Sequence, residues 1–425
     1  MSYRYLTSPM LEHLARYKYV SAGYTWLDCQ LTPFWNWLVE LLPMWMAPNM
    51  VTFIGFVGIT AMTGVVCYVA PSLVGSDASV SRSVFAFHAA ALFVYQHLDA
   101  VDGKQARRTG ASSPLGQLFD HGCDCFVNVI CALSTSACLD FGASFRLALL
   151  ALSNLTPFFV AQWAEYHLGS CSTSNGYVGV TEGLVLLICI ELHAAWFGPM
   201  WWAEPLSLGP VAIAPRDVVL SFVVASNAIM NIGLLWSVLA PGRTGAPKLS
   251  KDMRGDKAIG KINAVAQLVP VAAWVALSAQ WLYRLPEKSW TELAQSPLSI
   301  TSRPSHFFAH NTVLCASLSG FQFALVTTRM IVAHMCKTSF SPVVNSFMLA
   351  PLALVTAATH WPAVGGQAIF AYVCSERSFT FALCAMSLAL YLHYVIVVVQ
   401  QICGHLQIEC FSLKYLETKK KPKRS

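Results

Sequence analysis

Of the 425 residues, 56% are hydrophobic and only 11% are charged, and the mean hydropathy is +0.53. A soluble chain carries about a quarter of its residues charged, so an ordinary soluble globule is excluded and much of this exterior must face lipid. The formal charge of +6 is concentrated at Lys419, Lys420, Lys421, Lys423 and Arg424, which reads as a solvated tail near anionic headgroups; basic residues are nowhere interleaved with aromatics on one face, so nucleic acid is not an expected partner.

The first 49 residues hold Trp26, Trp35, Trp37 and Trp45 among scattered charges and predict an amphipathic element lying along the membrane interface. Arg4, Glu12, Arg16 and Lys18 precede the first long apolar run, so no cleavable signal peptide is expected. Ten apolar stretches of spanning length follow, near 50–70, 84–98, 117–139, 147–164, 178–200, 218–240, 262–283, 307–328, 341–360 and 379–403. The fold class is therefore an all-α polytopic membrane bundle of about ten transmembrane helices, without internal repeats. Ten crossings put both termini on one side. With that parity, 20 of the 27 Lys and Arg fall on the terminal side and 7 on the other, and the positive-inside rule makes the terminal side cytosolic. The fourteen Cys sit mostly in apolar stretches as packing residues, and Cys123 with Cys125 lacks the further pair that a zinc site needs.

The informative stretch is 99–124, where Asp99, Asp102, Asp120 and Asp124 lie next to or inside apolar spans. Carboxylates near hydrocarbon cost at least ~2.5 kcal/mol each and need compensation. Salt bridges to Lys104, Arg107 and Arg108 would be the structural explanation. The spacing argues for more, because Asp99 and Asp102 are i,i+3 and Asp120 and Asp124 are i,i+4, so each pair projects from one helix face. Two such faces can converge on hard cations such as Mg²⁺ or Mn²⁺, with substrate phosphates completing the shell. Gly103, Ala106 and Gly116 leave room for a pyrophosphate to approach backbone, Arg107 can fork onto phosphate, and Ser113-Pro114 reads as the N-cap and first residue of the third span. Glu191 lies mid-span and is expected to pair with another helix.

The eight positions Asp99, Asp102, Gly103, Ala106, Arg107, Gly116, Asp120 and Asp124, with the gaps between them, resemble the complete signature of the CDP-alcohol phosphotransferase family. The string through Lys104-Gln105-Ala106-Arg107-Arg108-Thr109 and Phe119-Asp120-His121-Gly122-Cys123-Asp124 is similar to its eukaryotic choline and ethanolamine phosphotransferases in particular. The likeness extends to Tyr17-Lys18-Tyr19, Ala47-Pro48-Asn49, Trp163 to Gly169 and Thr181-Glu182-Gly183, and weakens beyond about residue 240. The resemblance implies an enzyme in which the hydroxyl of diacylglycerol attacks the β-phosphorus of CDP-choline or CDP-ethanolamine, giving phospholipid and CMP. It also implies that two ions, Mg²⁺ or Mn²⁺, are held by Asp99, Asp102, Asp120 and Asp124, that Arg107 holds phosphate, and that Asn49 contacts the nucleotide. Relatives of this kind are commonly homodimers.

The attacking hydroxyl needs a base. His121 is the choice, about 100° around the helix from Asp120, with Asp124 as the alternative that the broader family suggests. Glu165 and His167 after the fourth span and Glu182 at the start of the fifth are candidates to support that base or contact the head group, with solvated interface residues as the other reading. The domain reading is an interfacial segment at 1–49, catalytic helices at 50–240, further spans at 241–403 and a basic cytosolic tail at 404–425. Lys421 and Lys423 resemble a di-lysine retrieval signal, which places the chain in the endoplasmic reticulum or the Golgi with its site facing the cytosol. Competing readings are an ethanolamine-only enzyme and, from another class, a secondary transporter, which would show two related halves.

Overall fold

Apolar runs become helices wherever they are long enough to satisfy their own backbone in lipid. The computed structural model of the protein describes residues 4–172, 174, 176–208, 211–240, 261–282, 311–360 and 375–416. Short α1 (Ser8–Ala15) and the interfacial α2 (Trp26–Leu41) lead into α3 (Pro48–Val69), α4 (Ser83–Thr109), α5 (Pro114–Cys138) and α6 (Phe145–Leu168). After α7 (Val180–Phe197) and the one-turn α8 (Met200–Ala203) come α9 (Pro215–Leu239), α10 (Lys261–Ala266) and α11 (Val269–Leu282). The last described helices are α12 (Thr312–Met335), α13 (Pro342–Phe347), α14 (Ala350–His360) and α15 (Glu376–Leu406). Among the described residues, strand is confined to the parallel pair β1 (Ser21–Ala22) with β2 (Cys171–Ser172) and the antiparallel pair β3 (Leu206–Leu208) with β4 (Val211–Ile213).

Eight of these helical stretches are long and apolar enough to cross a membrane, against the ten spans expected. The two others have physical reasons. Helix α5 has the length but carries Gln117, Asp120, His121, Asp124 and Asn128 among its apolar residues. The stretch at 341–360 is broken between α13 and α14 at Met348–Leu349. Conversely, α4 is longer than its predicted span at 84–98, because the helix continues through the charged turns to Thr109. The basic loop at 241–260 and the tail beyond 416 lie outside the described residues.

Helix α12 is the innermost, buried along almost its whole length, and packs on α5, α6 and α15. Helix α9 is peripheral: Val218, Phe222, Ile229, Ile232 and Trp236 form an exposed apolar stripe at helical spacing. It is pinned to α6 by the two-pronged Arg146–Asp217 pair at 2.5 and 3.0 Å. The two ends of the described chain meet, since Gln401 on α15 accepts from the Tyr5 amide at 3.0 Å and donates to the Leu6 carbonyl at 3.0 Å.

The amphipathic reading of the N-terminal segment is visible in α2. A reciprocal Thr25–Asp28 capping box starts the helix. Trp35 and Val39 are buried against Val51 and Val101, while Trp26 and Trp37 remain exposed. Lys104, Gln105 and Arg108 on α4 all point at α2 or the turn that follows it: Lys104 donates to Asn36, Gln105 to the Pro43 and Met46 carbonyls, and Arg108 to the Val39 and Leu42 carbonyls.

Candidate active site

Helix α4 ends in Gly110, whose φ of +70° gives the left-handed turn that a side chain would oppose. Ser113 then takes the extended N-cap geometry with Pro114 at the first helical position, although the Ser113 side chain makes no capping bond. This tight connection folds α5 back beside α4 and turns their acidic faces toward each other. Ligand oxygens of Asp99, Asp120 and Asp124 lie within 4.8 Å of one another. Asp102, one turn beyond Asp99, accepts from the hydroxyl of Thr52 on α3. Tyr95, one turn before Asp99, donates its hydroxyl to Asp124 Oδ1 at 2.5 Å.

Among the described residues, no basic side chain forms an ion pair with these carboxylates. Arg108 pairs instead with Glu40 at 3.2 Å, Lys104 donates to Asn36, and Arg107 is exposed without a hydrogen bond or ion pair among the described residues. Oδ1 of Asp99 and Oδ1 of Asp120 are sealed from solvent and have no hydrogen-bond partner among the described residues. Buried acceptors left without donors are costly. A divalent ion would satisfy them, and an all-oxygen donor set suits a hard cation such as Mg²⁺ or Mn²⁺. The residues therefore fit a metal.

Around the carboxylates the expected small residues keep the floor low. A Cβ on Gly116 would sit 3.8 Å from Asn49 Oδ1, and one on Gly103 would sit 3.7 Å from an Arg107 guanidinium nitrogen. Ala106 follows Gly103 by three residues on α4, near its exposed end. Asn49 itself is buried, and its Nδ2 donates to the Cys410 carbonyl at 3.0 Å, which leaves Oδ1 toward Gly116. Burial pushes the Cys410 thiol up to about 11, so it meets Asn49 as a neutral group.

His121 is buried, its ring edge-to-face with Tyr19 at a centroid separation of 5.7 Å, and its Nδ1 has no hydrogen-bond partner among the described residues. Glu165 lies deeper and is a node. It accepts from the Tyr17 hydroxyl at 3.0 Å and Gln117 Nε2 at 3.1 Å, and His334 Nε2 is 3.5 Å away. Burial, then the Glu165 carboxylate, holds the Tyr17 phenol well above its usual range, so it stays a donor. The β1–β2 pairing places this N-terminal strand against Cys171 and Ser172.

Other sequence candidates separate from this cluster. His167 Nε2 faces Gln267 Oε1 at 2.8 Å. Glu182 accepts from the Gly179 amide at 2.9 Å, a one-way bond that ties down the start of α7. Glu191 pairs with His88 at 2.9 Å, as a mid-span carboxylate was expected to do. Thr52, Tyr95, Gln117 and His334 are contacts that sequence reasoning did not single out. Helical spacing is the signal for two of them, since Tyr95 and Gln117 sit four residues before Asp99 and His121.

Comparison with known proteins places this geometry in context. A family model described as CDP-alcohol phosphatidyltransferase matches residues 45–209, which includes all four aspartates. A choline/ethanolaminephosphotransferase 2 of Arabidopsis thaliana is 30% identical over 411 residues, covering 94% of this chain and 96% of its own. A cholinephosphotransferase 1 of Danio rerio is 28% identical, covering 96% and 95%. One of Gallus gallus is 37% identical over 202 residues, covering 46% of this chain and 58% of its own.

Proposed function

The chain belongs to the CDP-alcohol phosphatidyltransferase family, and from that premise we propose that this enzyme transfers phosphocholine or phosphoethanolamine from CDP-choline or CDP-ethanolamine to diacylglycerol, releasing CMP. The observation that carries the reading is the convergence of Asp99, Asp120 and Asp124 with sealed, donorless oxygens on two of them. These three, with Asp102 steadied by Thr52, would hold two Mg²⁺ or Mn²⁺ ions. Such ions neutralise a pyrophosphate and stabilise a departing phosphate oxygen.

The other roles belong to the chain's own groups. Arg107 is the free guanidinium at the open end of α4 and would grip phosphate with a forked pair of bonds. Asn49 Oδ1 would accept from the nucleotide, and Gly103, Ala106 and Gly116 would let the pyrophosphate lie against backbone. His121 would take the proton from the lipid hydroxyl. Its Nδ1 is sealed, so Nε2 is the nitrogen left to meet substrate. Asp124 is less suited to that task, because Tyr95 already donates to it. Glu165, engaged by three neighbours, would support His121 through Gln117 and the Tyr17–Tyr19 segment rather than touch substrate. The catalytic unit is the helical region at 50–240, in an endoplasmic reticulum membrane with the aspartates toward the cytosol.

The test is transfer of radiolabel from CDP-choline and, separately, CDP-ethanolamine to diacylglycerol in membranes, with and without chelator. Labelled phospholipid that disappears with chelator and returns with Mg²⁺ or Mn²⁺ is expected. Transfer indifferent to chelator would remove the metal reading. Label from only one donor would settle the head group.

A further inference from the structure

Well away from the aspartates, the bundle holds a second set of polar side chains that the transfer reaction does not use. Glu191 on α7 and His88 on α4 are both wholly buried, with Oε2 and Nδ1 2.9 Å apart. His88 Nε2 lies 2.9 Å from Thr63 Oγ1 on α3, and Ser134 Oγ on α5 lies 3.1 Å from Glu191 Oε1. One unbroken chain of polar contacts thus crosses four helices.

The proton directions follow from the partners. The Thr63 hydroxyl donates to its own helix at the Ile59 carbonyl, 2.9 Å away, so its oxygen is left to accept and His88 carries a hydrogen on Nε2. Nδ1 and Glu191 Oε2 then share one proton. Whether that pair is imidazolium with carboxylate or imidazole with carboxylic acid, its formal charge is zero, which is what makes it tolerable at this depth. Removing either partner alone would strand the other.

The placement is what gives the chain a use. On α4, His88 precedes Asp99 by eleven residues, and on α3, Thr63 follows Thr52 by the same number. Eleven residues is close to three full turns, so each pair shares a face, roughly 16 Å apart along the helix. The α3–α4 seam is therefore tied twice, at Thr52–Asp102 and at Thr63–His88. Between the two levels lies an apolar layer containing Ile59, Leu92, Tyr95, Val127 and Ile188, and Tyr95 is the donor to Asp124. Apolar packing is non-directional and tolerates small axial slips. A single line of directional bonds does not.

We propose that Thr63, His88, Glu191 and Ser134 form a register lock that sets α3, α4, α5 and α7 axially, so that Asp99, Asp120 and Asp124 keep their separation; His88 and Glu191 are then positioning residues for the metal site. The inference rests on the metal reading of the aspartates. The same lock explains why a carboxylate persists in the middle of α7, whose other buried residues are apolar.

The test uses the full chain in lipid nanodiscs, with Mn²⁺ binding followed by electron paramagnetic resonance of the free ion in the absence of substrate, and thermal unfolding measured on the same samples. The double variant His88→Leu with Glu191→Leu removes both polar partners and leaves no buried charge. It is expected to melt at or above the wild-type temperature while its Mn²⁺ dissociation constant rises about tenfold. Glu191→Gln can still accept from Ser134 and donate to His88, and is expected to restore most of that affinity. A folded double variant that binds Mn²⁺ like wild type overturns the lock. Should the double variant not fold, Thr63→Val, which removes only the acceptor for His88, decides in its place: a loss of roughly fivefold in Mn²⁺ affinity supports the lock, and wild-type affinity overturns it. Wild-type protein that binds no Mn²⁺ overturns the metal reading itself and the lock with it, an outcome recognisable before any variant is made.

Discussion

At the scale of single residues, the carboxylates differ in what holds them, and that difference predicts graded effects. Tyr95 makes a 2.5 Å bond to Asp124, and hydrogen bonds to charged groups contribute about 1.5–3 kcal/mol. Tyr95→Phe should therefore lower kcat by roughly 10- to 100-fold, with the KM for the CDP-alcohol nearly unchanged, because the ring still fills its place in the apolar layer; a steady-state comparison in membranes checks this. Asp120→Asn is harsher, since Asp120 Oδ1 has no hydrogen-bond donor among the described residues to keep it in place and the amide brings hydrogens into the space of a cation. At least about a hundredfold loss of turnover is expected, together with loss of Mn²⁺ binding in the absence of substrate. The aspartates were legible in the sequence because charge is expensive in an apolar run and so announces itself. Tyr95 was not, because a tyrosine inside an apolar helix reads as packing until its hydroxyl is seen on Asp124. Glu165 was legible as a charge but not as a node, since its partners Tyr17, Gln117 and His334 come from three separate stretches of chain.

At the scale of elements, the innermost helices touch closely enough for one methyl group to matter. A Cβ on Gly320 of α12 would lie 2.6 Å from Val129 Cγ1 and 3.1 Å from its Cγ2 on α5, and both helices are buried there, so neither side chain can swing into lipid. Gly320→Ala should cost about 1–3 kcal/mol by overpacking and lower the unfolding temperature in detergent, while turnover in membranes well below that temperature stays near wild type. An unchanged melting temperature would mean that the α5–α12 seam yields more easily than its packing suggests. The same elements show what hydropathy can and cannot read. Long apolar helices such as α3 and α9 are recovered almost to their ends, because lipid imposes one rule on every residue. Helix α4 is read short, since Lys104, Gln105 and Arg108 look like the start of a loop yet turn toward α2 and the turn that follows it, Lys104 to Asn36, Arg108 to the Val39 carbonyl and Gln105 to the Pro43 carbonyl. The breaks after α10 and α13 do have a local signal, since Pro270 and Pro351 stand at the second residue of the helices that follow and cannot continue the helix before them, while the buried Gln267 and Leu349 fill the breaks.

At the scale of the whole molecule, charge and geometry make independent statements about sidedness. The split of Lys and Arg, 20 against 7, follows from the sequence when ten crossings are counted. The meeting of Tyr5 and Leu6 with Gln401, and of Asn49 with Cys410, is a property of the fold, and it gathers both ends of the described chain at the aspartate end of the bundle. Helix α3 carries the chain from Asn49 to Val69, roughly 30 Å along its axis, so the connection before α4 lies on the opposite face. Positive-inside logic predicts that the aspartate face is cytosolic, the side from which a water-soluble nucleotide donor would reach it without crossing lipid, and labelling tests that orientation. In sealed microsomes, a membrane-impermeant maleimide should label the exposed native Cys29 on α2 and an introduced Lys414→Cys without detergent. An introduced Ala78→Cys, in the exposed turn between α3 and α4, should react only after permeabilisation. The reverse pattern would put the aspartates on the lumenal side and require the donor to be delivered there. Labelling of all three without detergent in vesicles shown to be sealed would mean that α3 does not cross the membrane, and the two ties along the α3–α4 seam would then belong to a helix pair lying at one surface.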